Sequence, residues 1–110
     1  MAVEKVLFLI HDDKILFRKN YSSHENWAKD LGISEEEFKF IVRGVAIKDK
    51  GHWSAYFHSN NEQNDGRSSA AARKFAPELM ARCRTATLEI FADEEPFVIK
   101  KEDLPKEPLN

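Results

Sequence analysis

Histidine is the first residue type to weigh for chemistry, because imidazole can bind a metal or carry a proton near neutral pH. The chain has four, His11, His24, His52 and His58. In the run His52-Trp-Ser-Ala-Tyr-Phe-His58, an extended backbone puts both histidines on one face but roughly 20 Å apart. One metal ion cannot span that distance, so the pair is not a self-contained site. A ligand set would need His24 or the turn His11-Asp12-Asp13 folded alongside. Asp12-Asp13 could be catalytic carboxylates, yet adjacent acids between two apolar runs are turn formers. Cys83 falls in phase with an apolar helical stripe and reads as a buried thiol. Ser68 and Ser69 lack the strand-turn-helix glycines of an activated serine and read as helix caps. The four glycines are isolated, so no loop can cradle phosphate. No metal site and no cofactor is expected.

The elements that would position these residues are legible from periodicity. Residues 3–19 read as a β-hairpin, with Val6 to Ile10 apolar throughout, as in a strand covered on both faces. Ser22 with Glu25 and Ser34 with Glu37 are capping boxes. They open two short helices carrying Trp27, Ala28 and Leu31, then Phe38, Ile41 and Val42, with Gly32 and Gly44 as stops. From Val45 to Ser59 the period changes to two. Val45 and Ile47 alternate with Ala46 and Lys48, Asp49-Lys50-Gly51 turns, and Trp53, Ala55 and Phe57 alternate with His52, Ser54, Tyr56 and His58. Residues 60–67 read as a solvated loop.

A third helix follows from Ser68 or Ser69, with Ala72, Phe75, Ala76, Leu79, Met80 and Cys83 inward and continuous through Pro77. Thr87 to Phe91 and Phe97 to Ile99 are two more short strands. The order ββααββαββ predicts an α+β fold: a mostly antiparallel sheet of hairpins with three helices on one face. Residues 1–99 form one domain, and 100–110 read as a loose tail.

Two patterns bear on nucleic acid. Residues 27–44 resemble a helix-turn-helix, with Ala28, Leu31, Gly32, Ile33, Phe38 and Ile41 placed as that motif requires. Its reading helix would begin Ser34-Glu35-Glu36, however, and carboxylates repel the phosphate backbone that supplies most non-specific affinity. Arg67, Arg73, Lys74, Arg82 and Arg84 crowd the third helix with only Glu78 opposing them, which would suit a polyanion. They flank the apolar stripe on both sides, where long stems cover core edges.

The net charge of −2 argues against a globally basic nucleic-acid binder. One cysteine cannot form an intrachain disulfide, and no apolar run nears a membrane span, so a cytoplasmic location is expected. The leading expectation is a non-catalytic interaction module, self-associating or binding a protein partner. His52, Ser54, Tyr56 and His58 would form its recognition face. Nucleic-acid binding through residues 27–44 or the basic helix comes second, and an enzyme whose histidines meet only in the fold comes third.

Overall fold

The apolar run near the start of the chain forms β1 (Glu4–His11), in which Leu7, Phe8, Leu9 and Ile10 are all buried. Such a strand needs a layer on each side, because alternate side chains leave opposite faces of the sheet. The computed structural model, which describes residues 4–18, 27–60 and 66–104, supplies both layers. It is a small α+β domain built on a six-stranded sheet. The capping box at Ser22 and Glu25, His24, and most of the expected loop and tail lie outside the described residues.

After β1 come β2 (Lys14–Arg18), α1 (Trp27–Leu31), a 3-10 segment (Glu35–Phe40), β3 (Val42–Asp49) and β4 (His52–Ser59). Helix α2 (Arg67–Cys83), β5 (Thr87–Phe91), β6 (Phe97–Lys100) and a 3-10 turn (Lys101–Asp103) complete the described chain. The sheet order is β2-β1-β3-β4-β5-β6. Four of the five pairings are antiparallel, and β4 with β5 is parallel. The sheet is therefore mixed: α2 carries the chain back so that β5 runs beside β4 in the same direction.

Helix α2 covers one face. Ala72, Phe75, Leu79, Met80 and Cys83 pack there on Phe8, Ile10, Val42, Ala46, Trp53, Ala55, Phe57, Leu88 and Ile90. It is one helix through Pro77, which is exposed, so the missing N–H lies on the solvent side. The expectation of all helices on one face is corrected. Leu31, Ile33, Phe38 and Ile41 pack instead on Leu9 and Leu16, which point away from α2. Segment 27–41 is thus a cap on the β2–β1 end of the opposite face.

The second expected helix is also corrected. It is only a 3-10 segment, after which Ile41 turns extended and Val42 pairs with Ile10 and Ser59. Its turns close with the shorter 3-10 bonds, Glu37 N–H to the Ser34 carbonyl and Ile41 N–H to the Phe38 carbonyl, after which Val42 gains strand pairing on both sides. Arg43 and Gly44 therefore lie in a strand, and residues 27–44 have no second α-helix to enter a groove.

Lys50 and Gly51, both at positive φ, make a two-residue turn that fixes Asp49 opposite His52. The register then puts Ala46 opposite Ala55 and Val45 opposite Tyr56. Trp53, Ala55 and Phe57 face the core as expected, but their partners on β3 are Lys48, Ala46 and Gly44 in turn. The larger Val45 and Ile47 sit on the other face, because the space beneath α2 is already filled by aromatic rings.

Candidate functional site

The face opposite α2 is laid out in rows fixed by strand register. One row runs Leu9, Arg43, His58, and the next runs Leu7, Val45, Tyr56, Phe91. A third runs Lys5, Ile47, Ser54, Glu89, Val98, and a fourth brings Asp49 beside His52. The cap of residues 27–41 covers only the Leu9 corner. Across the rest, Tyr56 is 44% and Val98 52% exposed, and these are the two exposed large hydrophobic residues among those described. Both stand on this face.

The expected recognition residues His52, Ser54, Tyr56 and His58 all point from β4 onto this open face. Tyr56 stacks on Phe91, with ring centroids 4.8 Å apart and planes 10° from parallel. Arg43, Val45, Tyr56, His58, Phe91 and Ala92 surround an open depression of about 450 Å³. Below it, His52 Nε2 donates to Glu89 Oε1 (3.2 Å) and Ser54 Oγ donates to the same oxygen (3.4 Å). Phe91, Glu89, Val98, Val45 and Arg43 join this face only through strand pairing and are not among the expected recognition residues. The alternation Thr87, Glu89, Phe91 against Leu88 and Ile90 carried the signal for two of them.

The other chemical leads resolve into packing. His11 Nε2 lies 3.1 Å from Glu37 Oε2, tying the first hairpin to the 3-10 segment. Among the described residues, no three His, Cys, Asp or Glu side chains are grouped to hold a metal ion. Cys83 is buried, and that burial pushes its thiol up to about 11 despite the opposing charge of Arg82. A protonated, shielded thiol is a poor nucleophile at neutral pH. No helix among the described residues is long and apolar enough to cross a membrane.

The basic residues of α2 splay to different sides. Arg67 lies over Phe40, Arg73 over Phe97 and beside Glu94, and Arg82 over Phe17. Lys74 Nζ donates to the carbonyl of Asp12 (3.0 Å). Arg84 is exposed in left-handed geometry at the helix end, beside a second depression of about 470 Å³ that also touches Lys101 and Leu104.

A strand-helix-strand unit offers one further place for an anion, the helix N-terminus beyond the parallel strands. Here that place is filled by the chain itself. Ser68 and Ser69 were expected as caps, but the N-cap is Gly66 and both serines are buried within the first turn. The capping acceptor is Asp93, from the β5–β6 connection. Ser69 Oγ and the Ser69 N–H donate to Asp93 Oδ1 (2.6 and 3.2 Å). In return, the N–H groups of Asp93 and Glu94 donate to Ser68 Oγ and Ser69 Oγ (3.0 and 3.2 Å). Burial alone would raise the Asp93 carboxyl. Bonds from the hydroxyls of Ser69 and Ser68 and the amides of Ser69 and Gly66 outweigh it and hold the group below its ordinary 3.8. An incoming phosphate would meet a carboxylate there.

No protein family matches the chain, and no curated protein and no solved structure is significantly similar to it.

Proposed function

We propose that this protein is a non-catalytic interaction module of the cytoplasm, recognising another protein surface through the open face of its sheet. The observation that carries this is the placement of Tyr56 and Val98, which are exposed on one face and joined through Phe91, Val45 and Ile47 by strand register. Contiguous apolar patches rimmed by polar groups are where proteins meet partners. Here the rim is Arg43, His58, His52, Lys5 and Glu89. Tyr and His suit such a surface, burying area while keeping a polar tip.

Self-association is part of this reading, since a small α+β domain with one face uncovered gains most by covering it. The cations of α2 support the reading indirectly, because those lying over aromatic rings are placed as edge cover rather than as one strip.

The test is the double variant Tyr56→Ser, His58→Ser. Its denaturant unfolding should stay within about 1 kcal/mol of the parent, as for surface substitutions. In extract of cells producing it, the tagged parent should elute from a sizing column as a species larger than the lone chain, and the variant should shift to smaller size. A well-folded variant that elutes with the parent would remove the open face from recognition.

A further inference from the structure

We propose that the open face is closed by a second copy of this chain, the two sheets packing face to face about a two-fold axis that runs parallel to the strands between β3 and β4. This pairing rests on the open face being the recognition surface, and it adds the partner and the register.

The rows determine which residues would meet. The proposed axis exchanges β3 with β4 and β1 with β5. In the row Lys5, Ile47, Ser54, Glu89, it sets Lys5 over the partner's Glu89, and by symmetry Glu89 over the partner's Lys5. In the row above, Val45 meets the partner's Tyr56, and Phe91 lies over the partner's Leu7, which its own chain already buries. At the lower end Asp49 meets the partner's His52. Acids thus fall on bases at Lys5 and Asp49 and Val45 falls on Tyr56, while Ile47 meets the partner's Ser54 and, in the uppermost row, Arg43 meets the partner's His58. Packed sheets cross at about −30°, which moves residues this near the axis by only a few ångströms, within the reach of a lysine.

A two-fold axis perpendicular to the strands is the other isologous choice. Set between the two central rows, it would put Lys5 on Leu7 and Glu89 on Phe91, burying charge against hydrocarbon. It would also set Arg43 on the partner's Asp49 and Val45 on the partner's Ile47. That is one kind of acid–base pair against the two of the first axis, Lys5 with Glu89 and Asp49 with His52, and this difference selects the first axis.

The four strands that overlap their images about this axis, β1, β3, β4 and β5, at about 4.8 Å each and with rows spanning about 20 Å, give roughly 380 Å² in projection on each copy. Two copies bury about 800 Å² before side-chain relief is counted, the size of a small, reversible interface.

Charge exchange in purified protein tests the arrangement by sedimentation velocity over a dilution series. The parent should dimerise reversibly. Lys5→Glu and Glu89→Lys should each weaken the homodimer about tenfold or more, because like charges then face each other twice. Mixing the two single variants should restore parent-like affinity, since each heterodimer contact again joins opposite charges. Lys5 is exposed, so Lys5→Glu carries the test by itself if Glu89→Lys does not fold. A parent that stays monomeric would overturn the pairing, as would a folded Lys5→Glu that dimerises like the parent or a mixture of folded variants that does not recover. A monomeric purified parent that nonetheless elutes as a larger, Tyr56-dependent species in extract would sink this dimer alone. Failure of both would take the interaction reading with it.

Discussion

Gly44→Ala is expected to destabilise the fold by about 3 kcal/mol or more, the upper end of what overpacking costs. Gly44 sits in β3 opposite both Phe8 and Phe57. A β-carbon there would fall well inside van der Waals contact with the Phe8 ring and with the backbone carbonyl of Tyr56. The ring could be displaced only by disturbing Phe57, whose centroid lies 4.9 Å from it. The carbonyl belongs to the neighbouring strand and cannot move without breaking the ladder. Phe8 thus covers a glycine gap in the strand beside it, a recurring way to fill a sheet. Urea unfolding of Gly44→Ala against the parent measures this. A variant within 0.5 kcal/mol, the ~0.5 kcal/mol scatter of surface changes, would show that Phe8 does not lie over this strand.

Asp93→Ala should cost about 2 to 4 kcal/mol at neutral pH, combining a lost cap with buried hydroxyls left without an acceptor. Ser68 and Ser69 are buried, so water cannot replace the carboxylate without opening the helix start. The effect depends on pH in a fixed direction. The folded-state pKa of Asp93 lies below its ordinary 3.8, so the stabilisation is complete above that value. It fades as pH falls through the lower, folded value. The stability gap between parent and Asp93→Asn should therefore be constant from pH 7 to about 5 and close in stronger acid. A gap that persists or widens below pH 3, under the ordinary carboxylate range of ~3.9, would mean that the charge of Asp93 is not what caps α2.

Local pattern carried much of this fold. The unbroken run Leu7 to Ile10 announced a strand between two layers, and the stripe from Ala72 to Cys83 announced α2 with its inward residues correct. What failed was non-local. Gly44 after Phe38, Ile41 and Val42 has the same local signature as a helix stop, and only pairing with Phe8 and Phe57 makes it a strand glycine. Val45 and Ile47 are more apolar than Gly44 and Ala46, so hydrophobicity alone orients β3 the wrong way. The volume of Phe8 and Phe57 decides it. Asp93 reads as a turn residue because its partner Ser69 is 24 positions away.

The candidate site divides along the same line. His52, Ser54, Tyr56 and His58 were legible as one face because they alternate with Trp53, Ala55 and Phe57 within a single strand. Phe91 and Glu89 join them only through the parallel pairing of β4 with β5, which depends on where α2 returns the chain. Strand order across a helical crossover is not encoded in the periodicity of either strand.

In the function proposed above, the face bearing Tyr56 meets another protein while the outer side of α2 does not. A photo-reactive benzophenone amino acid placed at Tyr56, or at exposed Glu78 on α2, reads this directly after irradiation of intact cells. A discrete covalent adduct is expected from position 56, with the mass of two chains if the partner is another copy, and none of comparable yield from position 78. Equal labelling from both positions, or a discrete adduct from 78 alone, would contradict it.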